Sequence, residues 1–301
     1  MAIPPAFIHA QDADSLVLSQ VDDILSFEDS LSIFNLIDSL LQNAPIEVSQ
    51  FGVRLAYNSN VLSAGRTLGI ENFGLSSGIS YYHKTGFYGD VAGFWSKDFD
   101  PKYYLTIASV GYMYSFPKVF SIMAGYDRYF YNTRSDDEYI PYKNTLSLTP
   151  LLEAKPFMLT INYSFYFGDT YANRIMPGFS VVLEKRKLLK IDKVSFQPTV
   201  YLLLGDETLT ELVLDGPSRQ NYRDYGTWFR IIEKNERVFG IMNYAFTAPL
   251  TVTHKNWSFM LAYTYNIPKA LPGEPLTISD SSYLSGSLSY FIATRKQKFP
   301  L

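Results

Sequence analysis

The stretch Phe157 to Phe167, FMLTINYSFYF, alternates without a slip: Phe157, Leu159, Ile161, Tyr163, Phe165 and Phe167 fall on one side, Met158, Thr160, Asn162, Ser164 and Tyr166 on the other. Successive strand side chains point to opposite faces, so this segment reads as a β-strand with one apolar face and one face of mostly small polar groups. Just upstream, Leu146, Leu148, Pro150 and Leu152 alternate with Thr145, Ser147, Thr149, Leu151 and Glu153, and the two runs form a hairpin. An aromatic-tipped apolar face opposite a small polar one, over about ten residues per strand, is what a barrel strand crossing a membrane requires. A single hairpin of this kind also fits a half-buried strand in a soluble sandwich, so repetition along the chain decides between the two.

Working outward, the pattern repeats. Between Val48 and Arg295 the sequence predicts about twelve strands. Their expected spans are Val48 to Tyr57, Asn72 to Tyr82, Phe87 to Ser96, Tyr103 to Phe116, Val119 to Tyr131, the opening hairpin, Gly178 to Glu184, Val194 to Leu204, Phe239 to Thr253, Trp257 to Asn266 and Ser282 to Thr294. The eleventh is as regular as the seventh: Trp257, Phe259, Leu261, Tyr263 and Tyr265 oppose Ser258, Met260, Ala262, Thr264 and Asn266. The fourth is tyrosine-rich, and its facing is ambiguous. Loop lengths segregate. Short connections fall at His83 to Gly86, Pro117-Lys118, Ala154 to Pro156, Lys185 to Lys193 and His254 to Asn256; long ones fall at Asn58 to Glu71, Asn132 to Lys143, Asp206 to Val238 and Ile267 to Ser281. Bacterial barrels keep short turns on the periplasmic side and long loops outside, which predicts a periplasmic N-terminus. The short outer connections after strands three and seven, and the basic Lys185 to Lys193 turn, are the exceptions.

Composition agrees. The chain of 301 residues holds 24 Tyr and 22 Phe, while charged residues make up only 18%. Mean hydropathy is −0.04, because each lipid-facing residue is followed by a lumen-facing one. No run approaches the roughly 18 apolar residues of a transmembrane helix. A net charge of −3 gives no reason to expect nucleic acid, and the lack of cysteine excludes disulfides and thiol chemistry.

The N-terminus differs in kind. Residues 1–10, MAIPPAFIHA, read as the remnant of an export signal or a disordered tail. Residues 11–47 form an acidic segment and linker: Gln11 to Asn43 carries Asp12, Asp14, Asp22, Asp23, Glu28, Asp29 and Asp38 with no Lys or Arg. Ile33, Phe34, Ile37, Leu40 and Leu41 recur at helical spacing, which predicts two short amphipathic helices stopped by Ala44-Pro45. Residues 48–295 are the expected all-β, antiparallel transmembrane barrel, and 296–301 a basic tail.

At this level the chain resembles the Gram-negative outer-membrane β-barrels, porin-like and about twelve-stranded. The likeness rests on hairpin spacing, aromatic girdles and loop asymmetry; no residue motif identifies one family. It implies outer-membrane lipid as the surroundings. The terminal Arg295 to Leu301 departs from the usual aromatic final residue, leaving Tyr290-Phe291 to carry any assembly signal.

Chemistry is sparse. Of three histidines, His9 precedes the expected cleavage point and His83 and His254 lie in short turns, away from lumen serines, so a His-dependent hydrolase is disfavoured. No zinc cluster, phosphate loop or HExxH motif is present, and no metal or cofactor is expected. Asp136-Asp137-Glu138 reads as a solvated loop. The candidate lumen lining is Arg54, Asp90, Glu153, Glu184, Tyr82, Asn162, Tyr166 and Tyr201, with Asp127 a further inward carboxylate and Arg54 the one firm interior cation. Asp127-Arg128 interrupts the fifth strand near its outer end.

Two functions follow. The first is a channel for small neutral or cationic solutes. The N-terminal helices would plug it, with Asp22, Asp23, Phe34 and Ile37 meeting the basic turns through residues such as Arg186, Lys187 and Lys255. The second is a non-conducting barrel that docks an envelope protein through those helices or through the 206–238 loop. Arg219, Tyr222, Arg223, Trp228, Phe229 and Arg230 in that loop are of the residue types enriched in interface hot spots.

Overall fold

Fourteen strand segments run up and down in chain order: β1 (Gln50–Asn58), β2 (Gly74–Tyr82), β3 (Phe87–Ser96), β4 (Tyr103–Ser115), β5 (Phe120–Tyr131), β6 (Tyr142–Ala154), β7 (Phe157–Gly168), β8 (Tyr171–Val181), β9 (Leu183–Leu188), β10 (Ile191–Phe196), β11 (Thr199–Asp215), β12 (Arg230–His254), β13 (Trp257–Pro268) and β14 (Ser281–Ala293). The computed structural model describes residues 48–59, 74–97, 100–116, 119–132, 142–188, 190–215, 223, 230–273 and 279–294, with backbone alone at 207, 209–215 and 230–235. The segments 1–47 and 295–301, and with them the expected helices and tail, lie outside it.

Neighbouring strands pair antiparallel around the ring, and β1 pairs β14 from Gln50↔Ala293 to Asn58↔Ser285, so the sheet closes on itself. β8 continues into β9 across Val182, and β10 into β11 across Gln197-Pro198, so the fourteen segments make a barrel of twelve staves. Proline explains the second interruption, since Pro198 has no N–H to give to the ladder. Its carbonyl still accepts from Val181 N at 3.0 Å, while Gln197 N donates to Pro249 O at 3.1 Å. Apart from β9, which extends past the start of β7 and among the described residues pairs with β10 alone, each stave is paired on both sides, the condition for a sheet to cross hydrocarbon.

The wall is inverted relative to a soluble protein. Outward-facing Val53, Leu55, Ile79, Val91, Val110, Leu159, Ile161, Phe259 and Leu261 are all exposed, whereas inward-facing Ser80, Thr160, Asn162, Ser164, Thr264 and Asn266 are buried. Such an apolar exterior has no place in water over an area this large, and it matches a bilayer core. Paired aromatics gird both ends. Near the tight turns Phe51 meets Tyr81 at 4.7 Å, Phe87 meets Tyr112 at 4.7 Å and Trp257 meets Tyr290 at 4.6 Å. Near the other end Trp95 meets Tyr103 at 4.9 Å. Amphipathic rings of this kind sit at the membrane–water boundary.

The tight connections 83–86, 116–119, 155–156, 189–190 and 255–256 share one end of the barrel. The opposite end carries 59–73, 97–102, 132–141, 169–170, 216–229 and 269–280, so the expected segregation holds, with the same two short exceptions. Three expectations are corrected. The expected 185–193 connection is mostly strand, because β9 and β10 stay paired from Phe196↔Leu183 to Ile191↔Leu188. The 206–238 connection is mostly a hairpin, because β11 and β12 stay paired out to Asp215↔Arg230. Beyond Gly205↔Arg174 and Asn243↔Pro268 the hairpin pairs with no further strand among the described residues, and it continues as a two-stranded ribbon. Its register sets Glu211 opposite Lys234 and Asp215 opposite Arg230. The eighth strand also begins earlier than expected, at Tyr171 rather than Gly178, since Asn173 and Pro177 interrupt its apolar face.

Candidate functional site: the lumen wall

Hydrogen-bonded registers turn isolated inward residues into rows that wind around the barrel. One row runs Ser80↔Asp90↔Ser109↔Asp127↔Thr145↔Tyr166 across β2 to β7. It starts near the tight-turn end of β2 and finishes near the long-loop end of β7, as tilted staves require. Every member is buried or nearly so, the Asp90 side chain being 10% exposed. Ser80 Oγ donates to Asp90 Oδ1 at 2.5 Å, Ser109 hydrogen-bonds Asp127, and the Tyr129 and Thr145 hydroxyls lie 2.8 Å apart.

The neighbouring row is Tyr82↔Tyr88↔Gly111↔Gly125↔Ser147↔Ser164↔Arg174↔Gly205. Glycine here admits large side chains lying flat against the wall. The Tyr88 ring crosses Gly111 and its hydroxyl lies 2.8 Å from where a Gly125 Cβ would sit; Tyr201 covers Gly178 and Arg174 covers Gly205 in the same way.

The eight lumen candidates all point inward, at different depths. Arg54 meets Asp90 at 3.7 Å in the middle of β1. Asn162 donates to Thr149 Oγ1 and accepts from Ser164 Oγ, both at 2.8 Å, and Tyr166 packs with Tyr142. Tyr82 is buried near the turn after β2. Glu153 sits at the tight-turn rim, 3.5 Å from Lys155 Nζ. Glu184 lies in β9, held by Arg186 at 2.7 Å and Lys193 at 3.3 Å. Asp127 faces inward near the long-loop end of β5. Arg128 beside it faces outward, donating to Asn144 Oδ1 at 2.8 Å.

Arg54 is not the one interior cation. Lys193 is buried on the inner face, and it could have been found from sequence because it shares phase with Ser195 and Gln197. Arg174 is buried as well, its Nη1 donating to the Asp206 carbonyl and lying 3.9 Å from Asp206 Oδ1. The Asp206 side chain, in register with exposed Phe239, accepts from Asn173 N at 2.6 Å and from Arg237 Nε at 2.9 Å, and Arg237 stacks on Tyr171 at 3.8 Å. No single-strand pattern marks this cluster, which draws on β8, β11 and β12.

The wall from β10 through β14 is lined by hydroxyls and amides: Thr247 meets Thr264 at 3.0 Å, and Asn243 Nδ2 donates to Asn266 Oδ1 at 2.9 Å. A buried apolar cluster, Met123, Met176, Leu203, Met242 and Leu271 among its members, adds flexible side chains to the inner surface. At the tight-turn rim Lys84, Lys155, Lys185, Arg186, Lys187, Lys190 and Lys255 are exposed, while Asp22, Asp23, Phe34 and Ile37 lie outside the described residues. Of the expected docking-loop residues, Arg230 opens β12 and Arg223 is exposed; Arg219, Tyr222, Trp228 and Phe229 lie outside the described residues. His83 Nδ1 lies 2.7 Å from Thr85 Oγ1 and His254 Nδ1 3.7 Å from Asp192, both at the tight-turn end and neither on a serine. Among the described residues no cluster of His, Cys, Asp and Glu could hold a metal ion.

Comparison with known proteins gives fold-level likeness only. No family model matches the chain, and no curated protein does. Among solved structures it is similar to the KdgM porin, with 11% identity over 79% of this chain and 98% of that one and a TM-score of 0.45. It is also similar to the NanC porin, with 10% identity over 80% and 98% of the two chains and a TM-score of 0.40. An outer-membrane channel from Pseudomonas putida F1 shows 9% identity over 81% and 96%, with a TM-score of 0.43.

Proposed function

We propose that this chain is a non-enzymatic outer-membrane channel for small hydrophilic solutes, neutral or cationic, with its tight turns in the periplasm and its long loops outside. The observation that carries the reading is the inverted wall: a closed ring of twelve staves, apolar outside, with hydroxyls, amides and charge pairs inside. A merely structural barrel has no need of a row of hydroxyls and carboxylates winding across its inner wall. The protein reconstituted in a planar bilayer should give discrete conductance steps, and a silent bilayer at saturating protein would overturn the channel.

The finer part of the proposal places the acidic 11–43 segment at the periplasmic mouth. Its seven acids precede a rim of exposed Lys and Arg at the tight-turn end, and the 44–47 linker keeps it within reach. Exposed ion pairs contribute little each, so the apolar stripe must supply most of the docking. Deleting residues 11–43 should raise conductance well above that of the full chain; equal conductance would remove the plug and leave the channel. Orientation has its own test. A protease site inserted beside Gly216 should be cut on intact cells, and cutting only after permeabilisation would invert the topology.

The β11–β12 ribbon supports a second reading, a partner-docking role. Both its edges beyond the wall lack a neighbouring strand among the described residues, and an open edge can receive a strand from another chain.

A further inference from the structure

Four carboxylates among the described residues have side chains one-fifth exposed or less: Asp90, Asp127, Glu184 and Asp206. Three have cations beside them: Asp90 has Arg54 at 3.7 Å, Glu184 has Arg186 at 2.7 Å and Lys193 at 3.3 Å, and Asp206 has Arg237 at 2.5 Å and Arg174 at 3.9 Å. Asp127 has none. Its neighbours along the row are hydroxyls, Ser109 on β4 and Thr145 on β6, and no Lys or Arg among the described residues reaches it. Arg128, next in sequence, is directed outward onto Asn144 and Phe130 and leaves the inner charge standing.

We propose that Asp127 sets the charge preference of the lumen, drawing in inorganic cations and solutes that carry an ammonium or guanidinium group, and turning anions back. A fixed charge inside a narrow, low-dielectric tube focuses its field along the path of the solute, so one unmatched carboxylate outweighs several neutralised pairs. Tyr88 lies flat on the same wall, near both Asp127 and Asp90, and offers a ring face to the same cation. Asp90 contributes differently, because its charge is spent on Arg54.

The inference rests on the channel reading, and the experiment separates the two. In a planar bilayer at pH 8 under a tenfold KCl gradient, the reversal potential of the full chain should show potassium preferred over chloride. Asp127→Asn, nearly isosteric, should lower the potassium-to-chloride permeability ratio by at least about threefold. Asp90→Asn, which unpairs Arg54, should lower the ratio as well, while Asp192→Asn, exposed near the start of β10 at the tight-turn end, should leave the ratio close to that of the unmodified chain. Saturation-transfer NMR from the micelle-embedded barrel to tetramethylammonium supplies a readout that needs no conduction: transfer should be seen with the full chain and lost with Asp127→Asn. A barrel that conducts without cation preference, or whose preference survives Asp127→Asn, overturns the assignment and leaves the channel intact. A barrel that transfers to tetramethylammonium through Asp127 but never conducts overturns the channel and leaves the cation site. Failure of both readouts with the full chain overturns both.

Discussion

Replacing Ile161 with arginine is expected to lower the folding free energy in lipid vesicles by roughly 2–4 kcal/mol, the cost of a guanidinium at the bilayer midplane. Ile161 is exposed on the outer wall in the middle of β7, between Leu159 and Tyr163, and pairs with Pro177 across the ladder. From that depth neither interface is within easy reach of the side chain. The neighbouring Asn162 points the other way and is buried against Thr149 and Ser164. Asn162→Ala removes neutral hydrogen bonds and should cost about 1 kcal/mol. Urea titration of the vesicle-embedded protein, read by tryptophan fluorescence, measures both. If the two variants lost equal stability, Ile161 would not face hydrocarbon, and the facing of the whole stave would be wrong.

That facing was legible in the sequence because β7 and β13 alternate over their full length with an unambiguous apolar phase. β4 was not legible, and the structure shows why. A register shift between Phe94 and Trp95 breaks the match between β3 and β4, so Tyr103 and Tyr104 near the start of β4 do not continue the phase set by Val110, Tyr112 and Tyr114. The β11–β12 ribbon was missed for a different reason. Its two arms, ETLTELVLD and RIIEKNERV, mix apolar and charged residues without a strict two-residue alternation, and they flank the Gly216-Pro217 stretch, so the whole reads as loop. Arg54 and Asp90 could each be assigned to the lumen from their own strands, but their pairing could not, since the register carries Arg54 to Gly78 and on to Ala92, while Asp90 lies two residues away, opposite Ser80. The same holds for the row from Ser80 to Tyr166. Each of its residues is an ordinary inward position, and only the pairing of six strands lines them up.

The glycine row yields the second large effect, because it separates two substitutions that look alike in sequence. Gly111 and Gly125 face each other across β4 and β5, and the Tyr88 ring lies over Gly111 with its hydroxyl reaching Gly125. A Cβ added at Gly125 would meet the Tyr88 hydroxyl at 2.8 Å and Ser147 Oγ at 2.9 Å, both ends of side chains that can turn aside. A Cβ added at Gly111 would instead sit 2.5 Å from the Ala124 backbone oxygen as well as against Tyr88. That oxygen belongs to the ladder and cannot move without opening it. Gly111→Ala should therefore cost about 2–3 kcal/mol, at the upper end of overpacking penalties, and Gly125→Ala about 1 kcal/mol or less. The two should also couple differently to Tyr88. In a Tyr88→Ala background the Gly125→Ala cost should largely vanish, whereas much of the Gly111→Ala cost should persist, because the backbone clash remains. The measurement is the same urea titration on the three single and two double variants. Channel current provides a second view: with Tyr88 lifted off the wall by Gly111→Ala, conductance should fall, and truncating Tyr88 to alanine should restore it. If both glycine variants were equally costly and equally rescued, Tyr88 would be the only obstacle at Gly111, and the close approach of Ala124 would carry no weight.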